Sequence, residues 1–305
     1  MKHFPNHSKD IPNHPMDIPN HPMDFHIHST VSDGTDHPLE IISAIKKSGI
    51  RYFSLTDHDA LEGCRMIRAA LQADDIDSEL HFINGIEFSC KDDEGKYHIL
   101  GYGYDENYPD IQKMVDKAHD FRISKVEGRL AFLKDQYGFT FQESDLQELF
   151  ALSNPGKPHI GNLMARYGYA PNKDAAITDY INKYKSPDKY LEPQEAIEAI
   201  LSSGGIPVLA HPYFGSGSEK IFGKEMIYRL RRLMGMGLEG VEAFYSGFSE
   251  DLSAEMIYLA SKYDLYVTAG SDYHGTNKTI SLGQTGFSSE TDLPEGLVRF
   301  LDRMI

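Results

Sequence analysis

The segment Ile50-Arg51-Tyr52-Phe53-Ser54-Leu55-Thr56-Asp57-His58-Asp59 changes character along its length. Residues 50–56 carry the apolar run of a buried strand, and the strand ends in the ionisable Thr56-Asp57-His58-Asp59. The same pattern recurs on both sides. Upstream, residues 24–29 read as a short strand carrying His26-Ile27-His28, with Ser32-Asp33-Gly34 in the following loop. Downstream, strands are expected at 81–88, 96–104, 206–210, 238–244 and 265–269. The first of these carries Gly85-Ile86-Glu87 and the second His98; the third ends in Ala210-His211-Pro212 and the last in Ser271-Asp272-Tyr273-His274.

Helices are expected between the strands, at 38–48, 61–71, 195–203, 225–236 and 251–263. Pro38 in the first turn and Gly49 just beyond the end delimit the first of them. Strand–helix alternation of this kind specifies an α/β fold around a mostly parallel sheet, open or closed as a barrel. Residues 105–194 break the alternation. Helical patterns at 111–137, 143–150, 159–167 and 173–183 make this stretch a helical insertion between two strands. Residues 1–22 stand apart. Near-repeats begin at Pro5, Pro12 and Pro19, and a proline in each unit argues for a disordered or polyproline-like tail rather than a coiled coil.

The chain has 305 residues, a net charge of −16 and 40% hydrophobic residues, enough for a packed core. That acidity argues against a duplex DNA partner, which is gripped through Lys and Arg contacts to phosphate. It leaves room for a small anionic substrate, because bound metal ions invert the local field. Two cysteines, Cys64 and Cys90, provide neither a disulfide framework nor a zinc pattern, as expected of a reduced cytoplasmic protein. No apolar run approaches the roughly 18 residues of a membrane span, and no signal-peptide core is legible at the start.

The placement of the ionisable groups carries the chemistry. Residues two apart in a strand face the same side, so His26 and His28 can reach one ion. Each group is expected at or near the C-terminal end of a strand, where parallel α/β folds build their active sites. Taken singly, each motif has a bland explanation: Asp59 could cap the next helix, and His211 could be a core histidine. Six histidines and three carboxylates at strand ends are a different matter, since burying them without metal would cost several kcal/mol per unpaired charge. Mixed imidazole and carboxylate donors suit Mn, Fe or Zn.

In this order the motifs resemble the polymerase-and-histidinol-phosphatase (PHP) family, over residues 24–104 and about 195–285. Lys157-Pro158-His159-Ile160 is similar to the branch containing nucleoside 3′,5′-bisphosphate phosphatases. The resemblance implies a distorted seven-stranded (β/α) barrel, residues 23–104 and 195–305, with the insertion 105–194 covering the active site. It implies two to three divalent ions: one held by His26, His28, Glu87 and Asp272, a second by Glu87, His98 and His211, and a third by Asp33, His58 and His274. A metal-bound hydroxide is expected to attack phosphorus in line with the leaving alkoxide. Asp57 is a candidate for orienting ligand imidazoles, as is Asp59. Lys157, His159, Arg122, Arg129 and Arg166 are candidates for holding the phosphate, with His159 able to protonate the leaving oxygen. The expected activity is hydrolysis of a small phosphate monoester such as a nucleotide. The alternatives are a phosphodiesterase, acting on short RNA or a cyclic phosphate, and a non-catalytic metal-stabilised binding module.

Overall fold

The computed structural model describes residues 22–73, 80–185, 189–216, 219–288 and 292–305. The repeats at the start of the chain lie outside the described residues. Seven strands form one sheet in chain order: β1 (Met23–Asp24), β2 (Tyr52–Leu55), β3 (His81–Asp92), β4 (Gly95–Tyr102), β5 (Ile206–Leu209), β6 (Gly240–Tyr245) and β7 (Tyr266–Gly270). The sheet closes on itself. Phe25 N–H donates to the Ala269 carbonyl at 2.8 Å, and Ile27 bridges Tyr273 in parallel.

Two expectations are corrected. The strand expected over residues 24–29 is ladder-paired only at Met23–Asp24. Beyond it backbone and side-chain acceptors alternate: Phe25 and His28 N–H donate to the Ala269 and Tyr273 carbonyls, whereas His26 N–H donates to Asp24 Oδ1 and Ile27 N–H to Thr56 Oγ1. The mostly parallel sheet stands, and the second correction concerns where Glu87 and His98 lie along their strands. β4 runs antiparallel to both β3 and β5, whereas the other pairs are parallel. The short turn at Asp93–Glu94 makes β3 and β4 a hairpin. His98 therefore lies in the first half of its strand, and Glu87 lies mid-strand. Both still face the common site, because the reversed strand begins at the barrel end where its neighbours finish.

Around the barrel lie α1 (Pro38–Lys47), α2 (Glu62–Ala73), α7 (Pro193–Ser202), α8 (Gly223–Gly235), α9 (Glu250–Lys262) and α10 (Glu295–Met304). The last is an addition to the expected elements. Its Phe300 packs edge-on against Phe25 and Tyr102, at 5.3 Å from each ring. All three rings are fully buried.

The insertion consists of α3 (Pro109–Tyr137), α4 (Glu143–Phe150), α5 (Lys157–Arg166) and α6 (Lys173–Asp179). It has its own apolar core, including Val126, Leu133, Leu149, Ile160, Met164 and Ile181. The lower half of α3, with Ile111, Met114 and Ala118, belongs instead to the barrel core. One long helix thus joins both cores. Among the described residues no helix is long and apolar enough to cross a membrane.

Candidate metal centre

Glu87 stands at the middle of the site, 1% exposed. Its Oε2 lies 3.2 Å from His26 Nε2, 3.1 Å from His28 Nε2 and 3.2 Å from His58 Nδ1. Its Oε1 lies 2.9 Å from His98 Nδ1 and 3.2 Å from His211 Nε2. The β3–β4 hairpin makes the His98 contact: Ser89 faces His98 directly, so Glu87 is its diagonal neighbour on the same face. Asp272 offers Oδ1 to His26, His28 and His274 at 3.4–3.6 Å. Asp33 Oδ1 lies 3.2 Å from His274 Nε2.

All nine residues singled out as ligands therefore come together. Four overlapping groups have their donor atoms within 4.8 Å of one another: His28, Asp33, His58 and His274; His26, His28 and Asp272; His26, Glu87 and His211; and His58, Glu87 and His98. His58 joins two of these groups, so it sits between the expected second and third ions. The donor set fits divalent cations on its own terms. Asp33 Oδ1, His58 Nδ1, Glu87 Oε2 and His211 Nδ1 are buried without a hydrogen-bond partner, a state that native proteins rarely tolerate. His26 Nε2 and His28 Nε2 also face each other at 3.1 Å.

A further layer fixes the imidazoles. Glu242, fully buried, accepts from His26 Nδ1 at 2.9 Å and from the His211 backbone N–H at 2.8 Å. This directs His26 Nε2 toward the cluster. A register shift in β6 immediately follows Glu242, a common device for aiming a side chain at an active site. Gly270 permits the close approach, since a Cβ there would strike Glu242 and His26. His274 is oriented by its Nδ1, 2.8 Å from the Asp272 carbonyl. On Asp272, Oδ2 is taken by Tyr245 OH at 2.9 Å and Lys278 Nζ at 2.6 Å, which leaves Oδ1 for the cluster. Asp24 accepts from Ser271 and Gly283, tying β7 to β1. Backbone strain collects here: Asp59, His211 and Asp272 have φ of 52°, 26° and 59°, at a cost of about 1–3 kcal/mol each.

Asp57 is buried and accepts from Ser29 N–H at 2.8 Å, Ser29 Oγ at 2.7 Å and Ser32 Oγ at 2.6 Å. It reaches a ligand only through Ser32, whose Oγ is 3.4 Å from His28 Nδ1. Asp59 accepts from Ser89 N–H and from Arg122 Nε at 3.0 Å, so it joins the barrel to α3 rather than capping α2. Arg122, Arg129, Lys157 and His159 line a cleft of about 370 Å³ that also includes Asp33 and His58. Arg166 lies elsewhere, 57% exposed and paired with Asp145. A second cleft of about 640 Å³ shares Asp33, His58 and Pro158 with the first and adds Lys173, Asn277 and Lys278.

Glu242, Asp24, Tyr245 and Lys278 escaped the sequence analysis. Glu242 had a legible signal, as a single carboxylate in the apolar run Val241-Glu242-Ala243-Phe244. Replacing it with glutamine is expected to weaken metal affinity about tenfold while the fold persists, since such outer partners typically contribute 10–100-fold. Chelator-competition titration measures this, and unchanged affinity would count against the role.

The charges couple strongly. Burial opposes ionisation of Glu87, Asp33 and Asp272, but the surrounding imidazoles hold all three well below the usual carboxylate range. Burial also opposes the charge on His26 and His28, yet nearby carboxylates win. His26 rises well above its ordinary value, and His28 is pushed up to about 9 by Asp272 and Glu87. Their Nε2 atoms lie 3.1 Å apart, so at most one of them carries a proton at that contact. Loading the His26, His28 and Asp272 group must displace the protons that these carboxylates favour, so affinity should fall as pH drops. Titration calorimetry in buffers of different ionisation enthalpy tests this; a heat independent of buffer would refute it.

Comparison with known proteins agrees with the geometry. The PHP domain model matches residues 24–196, more than half of the chain. A 5′-3′ exoribonuclease of Haemophilus influenzae is 26% identical over 85% of this chain and 92% of its own length. A 3′,5′-nucleoside bisphosphate phosphatase of Chromobacterium violaceum is 24% identical over 82% and 86%. A solved structure from Bifidobacterium adolescentis, provisionally classed as a metal-dependent phosphoesterase, superposes with a TM-score of 0.74 at 25% identity, covering 93% of this chain and 96% of that one. The matched domain ends before His211, Asp272 and His274, and the fold returns these three to the same cluster. The chain belongs to the PHP family and is a metal-dependent phosphoesterase.

Proposed function

We propose that this chain removes a phosphate from a small nucleotide, such as a nucleoside 3′,5′-bisphosphate, using two to three Mn, Fe or Zn ions. The observation that carries the proposal is the cleft in which Arg122, Arg129, Lys157 and His159 open directly onto Asp33 and His58. His26, His28, Glu87 and Asp272 would hold one ion, Glu87, His98 and His211 another, and Asp33, His58 and His274 the third. When bound, such ions polarise phosphoryl oxygens and lower the pKa of water to about 7 in favourable sites.

The insertion binds and orients the phosphate. α5 presents its N-terminal turn, with Lys157 and His159, to the cleft, and unpaired amides at a helix start favour anions. His159 Nδ1 accepts from the Gly156 N–H at 3.2 Å. Burial lowers the His159 pKa, with Arg122 adding to the effect against Asp33. A neutral imidazole accepting at Nδ1 carries its proton on Nε2. His159 therefore acts as a hydrogen-bond donor to a phosphoryl oxygen rather than as a strong acid toward the leaving group.

One observation favours a diester substrate. Two clefts meet at Asp33, His58 and Pro158, which leaves room for a group on each side of the phosphorus. A phosphate-release and product screen over nucleoside monophosphates, bisphosphates, cyclic phosphates and short RNA, with metal-reconstituted protein, separates the two. Turnover of bisphosphates above the other classes is expected. No hydrolysis of any nucleotide would overturn the proposal.

A further inference from the structure

The insertion is tied to one side of the donor cluster. Asn154, in the loop between α4 and α5, is 6% exposed and donates from Nδ2 to the His58 carbonyl at 3.1 Å. The amide has to sit this way round, because a carbonyl accepts only from its NH₂ end. Asn154 Oδ1 is buried without a hydrogen-bond partner, as are Asp33 Oδ1 and His58 Nδ1, and such atoms are rare in native proteins unless something bound completes them. The next residue, Asp59, has a φ of 52° and is held by Arg122 of α3 through Nε at 3.0 Å. The insertion thus grips two consecutive residues, one of them a ligand. A third tie is longer. Lys173 of α6 reaches Asn277 Oδ1 at 3.4 Å, and Asn277 Nδ2 donates to the Asp33 carbonyl at 2.8 Å.

Asp33 and His58 share one donor group with His28 and His274. The remaining donors take their positions from the barrel. Glu242 of β6 holds His26 Nδ1 and the His211 N–H, Tyr245 and Lys278 hold Asp272, and the β3–β4 hairpin sets Glu87 beside His98. The Asn154 loop also leads straight to the phosphate cleft. Two residues on, the Gly156 N–H donates to His159 Nδ1 at 3.2 Å. Arg122, Asn154 and His159 line that cleft together with Asp33 and His58. An anion that fixes the start of α5 therefore fixes the loop that holds the His58 carbonyl.

We infer that the insertion sets the affinity of the ion at Asp33, His58 and His274, with Asn154 as the positioning residue, so that this ion and a phosphate in the cleft bind cooperatively. The cooperativity rests on the proposal above that the insertion binds phosphate; the hold of Asn154 on the ion does not. Coupling of this kind is reciprocal: phosphate tightens the ion by the factor by which the ion tightens phosphate.

The test is chelator competition on the full, manganese-loaded chain, with and without inorganic phosphate. In Asn154→Ala one equivalent of manganese should weaken about ten- to a hundredfold, the usual share of a ligand's outer partner, while the others hold. Asn154→Asp keeps the shape but turns an acceptor toward the carbonyl, and should weaken that equivalent at least as much. His58 also adjoins Glu87 and His98, whereas Asp33 belongs to a single donor group. Asn277→Ala, acting through Asp33, should therefore weaken the same equivalent, and Glu242→Gln a different one. In the wild type, phosphate should tighten the affected equivalent at least about fivefold, and Asn154→Ala should abolish the tightening. Unchanged manganese binding in Asn154→Ala, or a loss spread evenly over all equivalents, would overturn the inference. So would an Asn277→Ala variant that acts on a different equivalent. Should Asn154→Ala fail to fold, Asn277→Ala, at an exposed residue, decides by the same readings. Phosphate that does not bind the loaded wild type at all sinks the phosphate reading of the cleft and the cooperativity with it, and the manganese titration alone then judges the hold of Asn154.

Discussion

Glu87→Ala is expected to strip the metal centre and to reduce kcat/KM by about a thousandfold or more. One carboxylate touches five imidazoles, three through Oε2 and two through Oε1, so its loss would leave each ion of the proposed arrangement that it serves under-coordinated. Metal polarisation contributes several kcal/mol to the transition state, and each 1.4 kcal/mol is about tenfold in rate. The variant also leaves buried imidazoles without their counter-charge, which lowers stability unless they shed their protons. Elemental analysis beside steady-state kinetics measures both effects. Glu87→Gln separates charge from shape, because glutamine keeps the volume and loses the anion. Full metal content and wild-type turnover in Glu87→Ala would remove Glu87 from the centre of the mechanism.

Lys157→Ala and His159→Ala are expected to keep their metal and lose about ten- to two-hundredfold in kcat/KM. A charge-assisted contact to phosphate is worth about 1.5–3 kcal/mol, which converts to that range. Neither side chain belongs to a donor group of the cluster. If His159 only donates to a phosphoryl oxygen in ground and transition state alike, KM rises and kcat holds. A fall in kcat with unchanged KM would show that it acts on the reacting atoms alone. Wild-type kinetics in both variants, on a verified substrate, would mean that the start of α5 is structural.

The nine ligand candidates were legible because strand ends concentrate ionisable residues in short motifs. Each motif is local in sequence even though the cluster is not. The direction of β4 was not legible in the same way, because His98 serves the site equally well from a strand of either sense. The hairpin turn at Asp93–Glu94 between two β-patterned runs was the available clue. Glu242 was visible as a lone carboxylate in an apolar run, but its partners His26 and His211 lie far away in sequence, which no spacing encodes. The insertion's helical patterns are borne out as helices, but those patterns cannot tell Arg122, which turns toward Asp59, from Arg166, which turns away to Asp145.

The reversal of β4 has a consequence for how this protein can change over evolutionary time. The strand delivers the chain to the barrel end remote from the metals, where Asp110 at the start of α3 meets Ser202 at the end of α7. The 29 residues of α3 then climb back, about 44 Å at 1.5 Å per residue. They arrive with Ala118, Phe121, Arg122, Lys125 and Arg129 along one stripe facing the cleft. The foot of the helix is locked into the barrel core, so its rotational phase at the top is set by residue count alone. Inserting or deleting one residue between Met114 and Ala118 would swing the upper half by about 100° and carry Arg122, Lys125 and Arg129 off the cleft. Substitutions along that stripe can retune which anion is held, one side chain at a time. Length changes in α3 are tolerable only in steps that restore the phase, near whole turns of the helix.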